Sequence, residues 1–288
     1  MTPKIKEQIE TQGYTAALGV QVETLDEDSA TLFLPFKDEN SNPGGALHGG
    51  VAASLINLGG LSIARATLGE EAELIHTASI QVNYLAAAIS EPIRAKARLL
   101  KRGKELCYVE VGVETEGGKQ IARGLTTVRG RFGAEGSPPV QTVGDSGASE
   151  PGPMGKLVPK TVAFIGRLGL DFENMSGGES RIAMPFQERN ANGVGGVHEG
   201  PILALLDTTG AMAAWAVTGP GSFKASTVGI QAQFVAPAGN DELVGYGRVT
   251  QQDREIFWSD VEVASRSDGH VVARGTVLYR IVTPDLKR

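Results

Sequence analysis

A single cysteine, Cys107, stands among 288 residues, so no disulfide forms within the chain. Histidine is nearly as scarce. The four present are scattered without metal-ligand spacing, which argues against a zinc site. No run of Lys or Arg occurs and the net charge is −6, which argues against a general nucleic-acid binder. Residues Met1–Glu10 are charged and amphipathic and lack the apolar core of a signal peptide. Two apolar runs, Val51–Leu68 and Pro201–Val217, are long enough for a membrane span. They carry Gly59-Gly60, Arg65 and Asp207 and lie among strand-like patterns, so buried helices are the better reading. The expectation is a cytoplasmic protein that engages neither nucleic acid nor membrane. Its 41% apolar and 21% charged residues suit a globular chain with a real core.

What is present is a repeat. Pro35–Ala66 aligns with Pro185–Ala216 without a gap, with 11 identities in 32 positions. Asn42, Gly45, His48, Gly50 and Gly60 match Asn192, Gly195, His198, Gly200 and Gly210. The register continues through Thr77/Thr227, Gln81/Gln231 and Tyr84/Phe234. This period is too long for a solenoid and fits a duplicated domain. The segment from Gly133 to Gly155 is rich in Gly, Pro and Ser without apolar periodicity. The expected organisation is therefore one domain over 1–132, a linker over 133–155 and a second domain over 156–288.

Each copy reads as short strand-like runs (Val20–Leu25, Ala30–Leu34 and Ser180–Met184), an Asn/Gly-rich loop and one long apolar helix, Gly49–Leu68 or Glu199–Val217. Alternating strands follow at Leu74–Leu85, Ile93–Leu100, Leu106–Thr115 and Ile121–Arg129. Period-2 alternation with short polar turns predicts an antiparallel sheet. Cys107 falls in such a strand and reads as a buried structural thiol. A helix apolar on nearly all sides must be wrapped, so a curved sheet around it, paired with a second such unit, is expected.

The string Asn-x5-His-Gly-Gly opening an apolar helix, with an acid nine residues after the histidine in the second copy, resembles the hot-dog-fold acyl-CoA thioesterases. The resemblance is to the PaaI-like branch of the 4-hydroxybenzoyl-CoA thioesterase superfamily, and it covers both halves. It implies an α+β fold of two tandem hot-dog domains packed as an intrachain pseudo-dimer. It also implies an acyl-CoA substrate, no cofactor beyond the coenzyme A of that substrate, and a homodimer of such double chains.

Thioester hydrolysis needs a polarised carbonyl and an attacking group. A helix N-terminus offers free N–H groups and partial positive charge to a developing oxyanion, and Gly49 permits close approach there. Asp207, inside an apolar helix, is a candidate base or nucleophile, because a buried carboxylate is costly unless it is paired or its pKa rises. The resemblance implies that Asp207 acts on a thioester held at Gly49 of the other half. In this reading Asn42 helps polarise the carbonyl and Thr227 orients water, while His48 fixes the loop and lines the site. Gly50, Ala53 and Ser54 border the substrate, and Ala52, Ala211–Ala214, Met212 and Trp215 border the acyl part. Lys101, Arg102 and Lys104 are the densest cations for the coenzyme A phosphates, with Arg65 and Arg123 weaker candidates. The second composite site would join Asn57, Thr77, Asn192, His198 and Glu199. There Asn57 replaces the acid and Glu199 puts negative charge where an oxyanion would form, so degeneracy is expected. Two other readings are a non-catalytic acyl-CoA-binding protein and an enoyl-CoA hydratase or dehydratase. The latter's motif fits poorly, since Asn40 stands where an Asp is wanted and His48 comes late.

Overall fold

The computed structural model describes residues 2–69, 74–131 and 138–283. Two short helices, α1 (Thr2–Thr11) and α2 (Gly13–Leu18), precede a hairpin of β1 (Gln21–Leu25) and β2 (Ser29–Leu34). The central helix α3 (Gly49–Leu68) follows, then β3 (Leu74–Tyr84), β4 (Ile93–Arg102), β5 (Leu106–Thr115) and β6 (Gln120–Arg131). The second half repeats the order with α4 (Gly152–Thr161), α5 (Ala163–Leu168), β7 (Asp171–Ser176) and β8 (Glu179–Met184). It continues with α6 (Glu199–Thr218), β9 (Lys224–Phe234), β10 (Leu243–Asp253), β11 (Ile256–Ser265) and β12 (Val271–Val282). Each half is a hot-dog unit, an antiparallel sheet curved around one long helix, and the fold class is α+β.

All twelve strands form one sheet, joined where β3 pairs antiparallel with β9. Gln81 pairs with Gln231, its own repeat equivalent, and Ile80↔Ala232 mirrors Val82↔Ile230. The pseudo-twofold therefore passes between the two glutamines, and the chain carries its dimer interface internally.

The central helices meet near their N-termini. A Cβ on Gly50 would stand 2.7 Å from the Ala204 Cβ, and one on Gly200 would stand 2.7 Å from the Ser54 hydroxyl. Those approaches, closer than side chains allow, account for the glycine at both equivalent positions. Gly210 is likewise pressed on β12, where a Cβ would lie 2.5 Å from that of Val277. Gly45 and Gly195 turn their loops at positive φ, 73° and 94°. Both central helices are apolar enough to span a membrane by composition, yet nearly all of each is buried between sheet and partner helix. Cys107 lies in this core.

Two expectations need correction. The stretch 133–155 contains the start of α4 at Gly152, so a boundary at 156 cuts a helix. Its described part also docks as an extended strap on the second half. The Val271 N–H donates to the Val140 carbonyl at 2.7 Å, and the Thr142 hydroxyl donates to Glu262 at 2.8 Å. Arg181 grips Asp145 at 2.8 Å. Residues 133–137 lie outside the described residues. The two-helix N-terminal pieces and β7 complete each half beyond the coarse pattern.

Candidate active site

The loop before α3 is closed by its own backbone, with the Asn42 N–H donating to the Ala46 carbonyl at 2.7 Å. His48 caps the helix, its Nδ1 accepting from the Gly50 N–H at 3.0 Å. Burial holds the imidazole neutral, with its pKa lowered to about 4. It is thus a capping group rather than a base at neutral pH. The cap also uses the Gly50 N–H, while the Gly49 N–H has no partner among the described residues. The free donor at the helix start is therefore on Gly49.

Asp207 of α6 comes to this point from the other half. Its Oδ2 lies 3.2 Å from where a Cβ on Gly49 would stand. Its Oδ1 accepts a hydrogen bond from the Thr227 hydroxyl at 2.6 Å. The residue is 4% exposed. Burial raises its pKa to about 6, against a smaller lowering by the Thr227 hydrogen bond. Thus one carboxylate oxygen is anchored and the other faces the free helix end.

Tyr84, at the end of β3, closes the third side. Its hydroxyl donates to the Gly49 carbonyl at 3.0 Å, and its ring would lie 3.4 Å from a Gly49 Cβ. Burial, reinforced by the Asp207 charge, raises the phenol pKa well above its ordinary value, so it stays a donor. This residue was missed in the sequence as a site group. Its signal was the divergence Tyr84/Phe234, a hydroxyl present in one copy only. Farther along α6, Trp215 stacks on Phe223 with centroids 6.0 Å apart and donates to the Tyr279 hydroxyl at 3.2 Å.

The equivalent place in the other direction is built differently. The Glu199 carboxylate accepts from the Asn57 amide at 2.7 Å and from the Thr77 N–H at 2.9 Å. The Asn57 amide also reaches the Thr77 hydroxyl at 2.7 Å, leaving its buried Oδ1 unpaired. His198 caps α6 through Gly200, as His48 caps α3. The Asn192 Oδ1 accepts from Val194 and Gly196 at 2.9 and 3.1 Å, whereas the Asn42 side chain makes no hydrogen bond among the described residues. Asn57, Thr77 and Glu199 are brought together as a closed hydrogen-bonded knot.

With this geometry in place, comparison with known proteins decides the family. The model of the thioesterase superfamily matches residues 44–122 and again 194–272, more than half of the chain. The chain belongs to the thioesterase superfamily. Two such domains in tandem make it an enzyme of the thioester hydrolase class. A candidate esterase of Saccharolobus solfataricus is 28% identical over 108 residues, covering 38% of this chain and 76% of its own length. One of Halobacterium salinarum is 31% identical over 115 residues, with 38% and 76% covered. The fold of the whole chain is shared by solved structures, among them the following two. A candidate thioesterase of Novosphingobium aromaticivorans has a TM-score of 0.68 at 13% identity, with 91% of this chain and 98% of that one covered. The acyl-CoA thioesterase II of Mycobacterium marinum has a TM-score of 0.64 at 11% identity, with 92% and 96% covered.

Several residues of this superfamily member stand elsewhere than the sequence indicated. Gly50 and Ser54 are taken up in the helix crossing, and the Ser54 hydroxyl donates to the Gly50 carbonyl at 2.6 Å. Ala53 is fully buried in the core. Strand register puts Arg102 opposite Cys107, Cys107 opposite Val128 and Val128 opposite Thr77. The Lys101–Lys104 turn therefore lies at the Glu199 end, about three strand spacings (~14 Å) from Thr77. The row of Thr227 leads through Tyr279 and Phe257 to Gln252 instead. Arg65 lies on the Glu199 side as well.

Proposed function

We propose that the chain hydrolyses an acyl-CoA to the free acid and coenzyme A at one composite site, with Gly49 from the first half and Asp207 from the second. The observation that carries this reading is the Asp207 Oδ2 beside Gly49, with the Gly49 N–H unspent. The thioester carbonyl oxygen accepts from the Gly49 N–H at the positive end of α3. Asp207 takes a proton from water as the water oxygen bonds to the carbonyl carbon. The tetrahedral oxyanion forms against the helix end. On its collapse the C–S bond breaks and the thiolate takes the proton back from Asp207. A carboxyl pKa of about 6 suits a base working near neutrality. Thr227 fixes the carboxylate, Tyr84 holds the first turn of α3, and Asn42 supplies a second donor to the carbonyl.

The acyl group lies toward Trp215, Phe223 and Tyr279, an apolar wall that favours hydrocarbon or aryl acids. All the groups used belong to the chain itself, and coenzyme A enters only with the substrate. We place the protein in the PaaI-like branch on its Asn-x5-His-Gly-Gly string, and we expect two chains to associate. A panel of short, medium, long and aryl acyl-CoAs, followed by free-thiol release, tests the reading. Turnover of at least one class is expected. Binding without turnover of any thioester would overturn it. A single turnover in 18O-water tests the role of the acid: label in Asp207 would mark it as nucleophile, through a mixed anhydride opened by water at the Asp207 carboxyl carbon.

A further inference from the structure

The Glu199 end is closed to the chemistry above, yet it is not filled. A cavity of about 260 Å³ opens between α1, the end of α3, the start of β3 and the loop before α6. Its lining includes the apolar side chains of Ile9, Leu58 and Ile75. Arg65, Gln12 and His198 line it as well. Arg65 takes the helix position that Trp215 holds at the Asp207 site, so an aromatic group in one half is a cation in the other. Its guanidinium has no hydrogen bond or ion pair with any described residue, although Glu199 is near enough to act on its charge. Glu199 itself is engaged by Asn57 and Thr77. The His198 Nδ1 accepts from Gly200, which leaves Nε2–H as a donor with no partner among the described residues. The Gln12 side chain likewise makes no hydrogen bond there.

Arg65, Gln12 and His198 offer donors to the cavity, headed by the planar guanidinium that matches a carboxylate. Ile9, Leu58 and Ile75 add hydrocarbon to the lining. We infer that this second composite site is a binding site for a small organic carboxylate, with its head on Arg65 and its apolar tail against Leu58 and Ile75. The inference rests on the geometry of this cavity and not on the hydrolytic reading of the Asp207 site. Each therefore stands or falls by its own readout.

Isothermal titration of the intact chain with hexanoate, benzoate and inorganic phosphate tests the inference. Wild type, Arg65→Gln, Gln12→Leu and Asp207→Asn are compared, with a thermal melt confirming that each is folded. Saturable binding of hexanoate or benzoate is expected, weakened about tenfold or more in Arg65→Gln, as loss of a charged hydrogen bond implies. A smaller loss is expected in Gln12→Leu, and retention in Asp207→Asn. Crystals soaked in the bound acid should place its carboxyl on Arg65. Four results would each overturn the inference: no carboxylate binding, binding unchanged in Arg65→Gln, binding abolished in Asp207→Asn, or binding of phosphate alone. Should Arg65→Gln not fold, Gln12→Leu and the soaked crystal decide.

Discussion

Glu199 of the second half reaches into the first and accepts the Asn57 amide at 2.7 Å. At the equivalent place across the pseudo-twofold, Asp207 turns one oxygen toward a bare Gly49. The acid stands inside the helix at one site and at the helix start at the other. One junction is left with a free carboxylate oxygen and a free helix end, and the other with a carboxylate held in place.

Replacing Gly49 by Ala tests the geometry directly. Its Cβ would meet Asp207 Oδ2 at 3.2 Å and Tyr84 at 3.4 Å, tight but not a clash with backbone. The variant should fold with near-normal stability and lose at least ~10-fold in kcat/KM, about 1.4 kcal/mol. Steady-state kinetics beside a thermal melt separates the two. Gly50→Ala, pressed on Ala204, should instead lower the melting temperature.

Tyr84→Phe removes one hydrogen bond to the Gly49 carbonyl. A stability loss of about 1 kcal/mol is expected. A fall in kcat with little change in KM is also expected, because the first turn of α3 loses its tether. Unchanged kcat would assign Tyr84 to packing alone.

The Asp207 carboxyl sets opposite pH trends for stability and activity. Its folded pKa of about 6 stands above the ordinary 3.8, so the fold favours the protonated acid. That contribution is full below about pH 4 and is lost as pH rises through about 6, a difference on the order of 2–3 kcal/mol. Hydrolysis should rise through the same window as the carboxylate forms. Asp207→Asn should therefore melt higher than wild type at pH 8 and nearly equal to it at pH 4. Parallel melts of the two proteins across that range check the sign.

Glu199→Ala strands the Asn57 amide and the Thr77 N–H. A cost of about 1–3 kcal/mol in chemical denaturation is expected. Hydrolysis at the Asp207 site should persist, since Gly49, Tyr84 and Thr227 are untouched.

Much of this was legible from residues. The alternation in Cys107–Val113 and the all-round apolarity of α3 and α6 demanded a sheet wrapped around helices, the repeat offset aligned Gly49 with Glu199 and Asn57 with Asp207, and the family resemblance implied the cross-pairing of Gly49 with Asp207. What local pattern did not carry were the features set by distant contacts. Strand β7 is polar along most of its length and is fixed by pairing with β8. The strap at 140–145 has no periodicity because the second half of the sheet supplies its partners. The Lys101–Lys104 turn was assigned to the wrong end because only strand register shows that Arg102 shares a row with Thr77. Ser54 and Gly50 read as pocket residues because the crossing of the two helices is invisible in either alone.

The most direct test of a single composite site is acyl-CoA hydrolysis by Asp207→Asn at pH 8, set against wild type with the melt as control. Loss of kcat by about 10²–10⁴ in a folded protein is the result predicted for removal of the one free acid. Near-wild-type turnover would contradict the account and place the chemistry elsewhere in the chain.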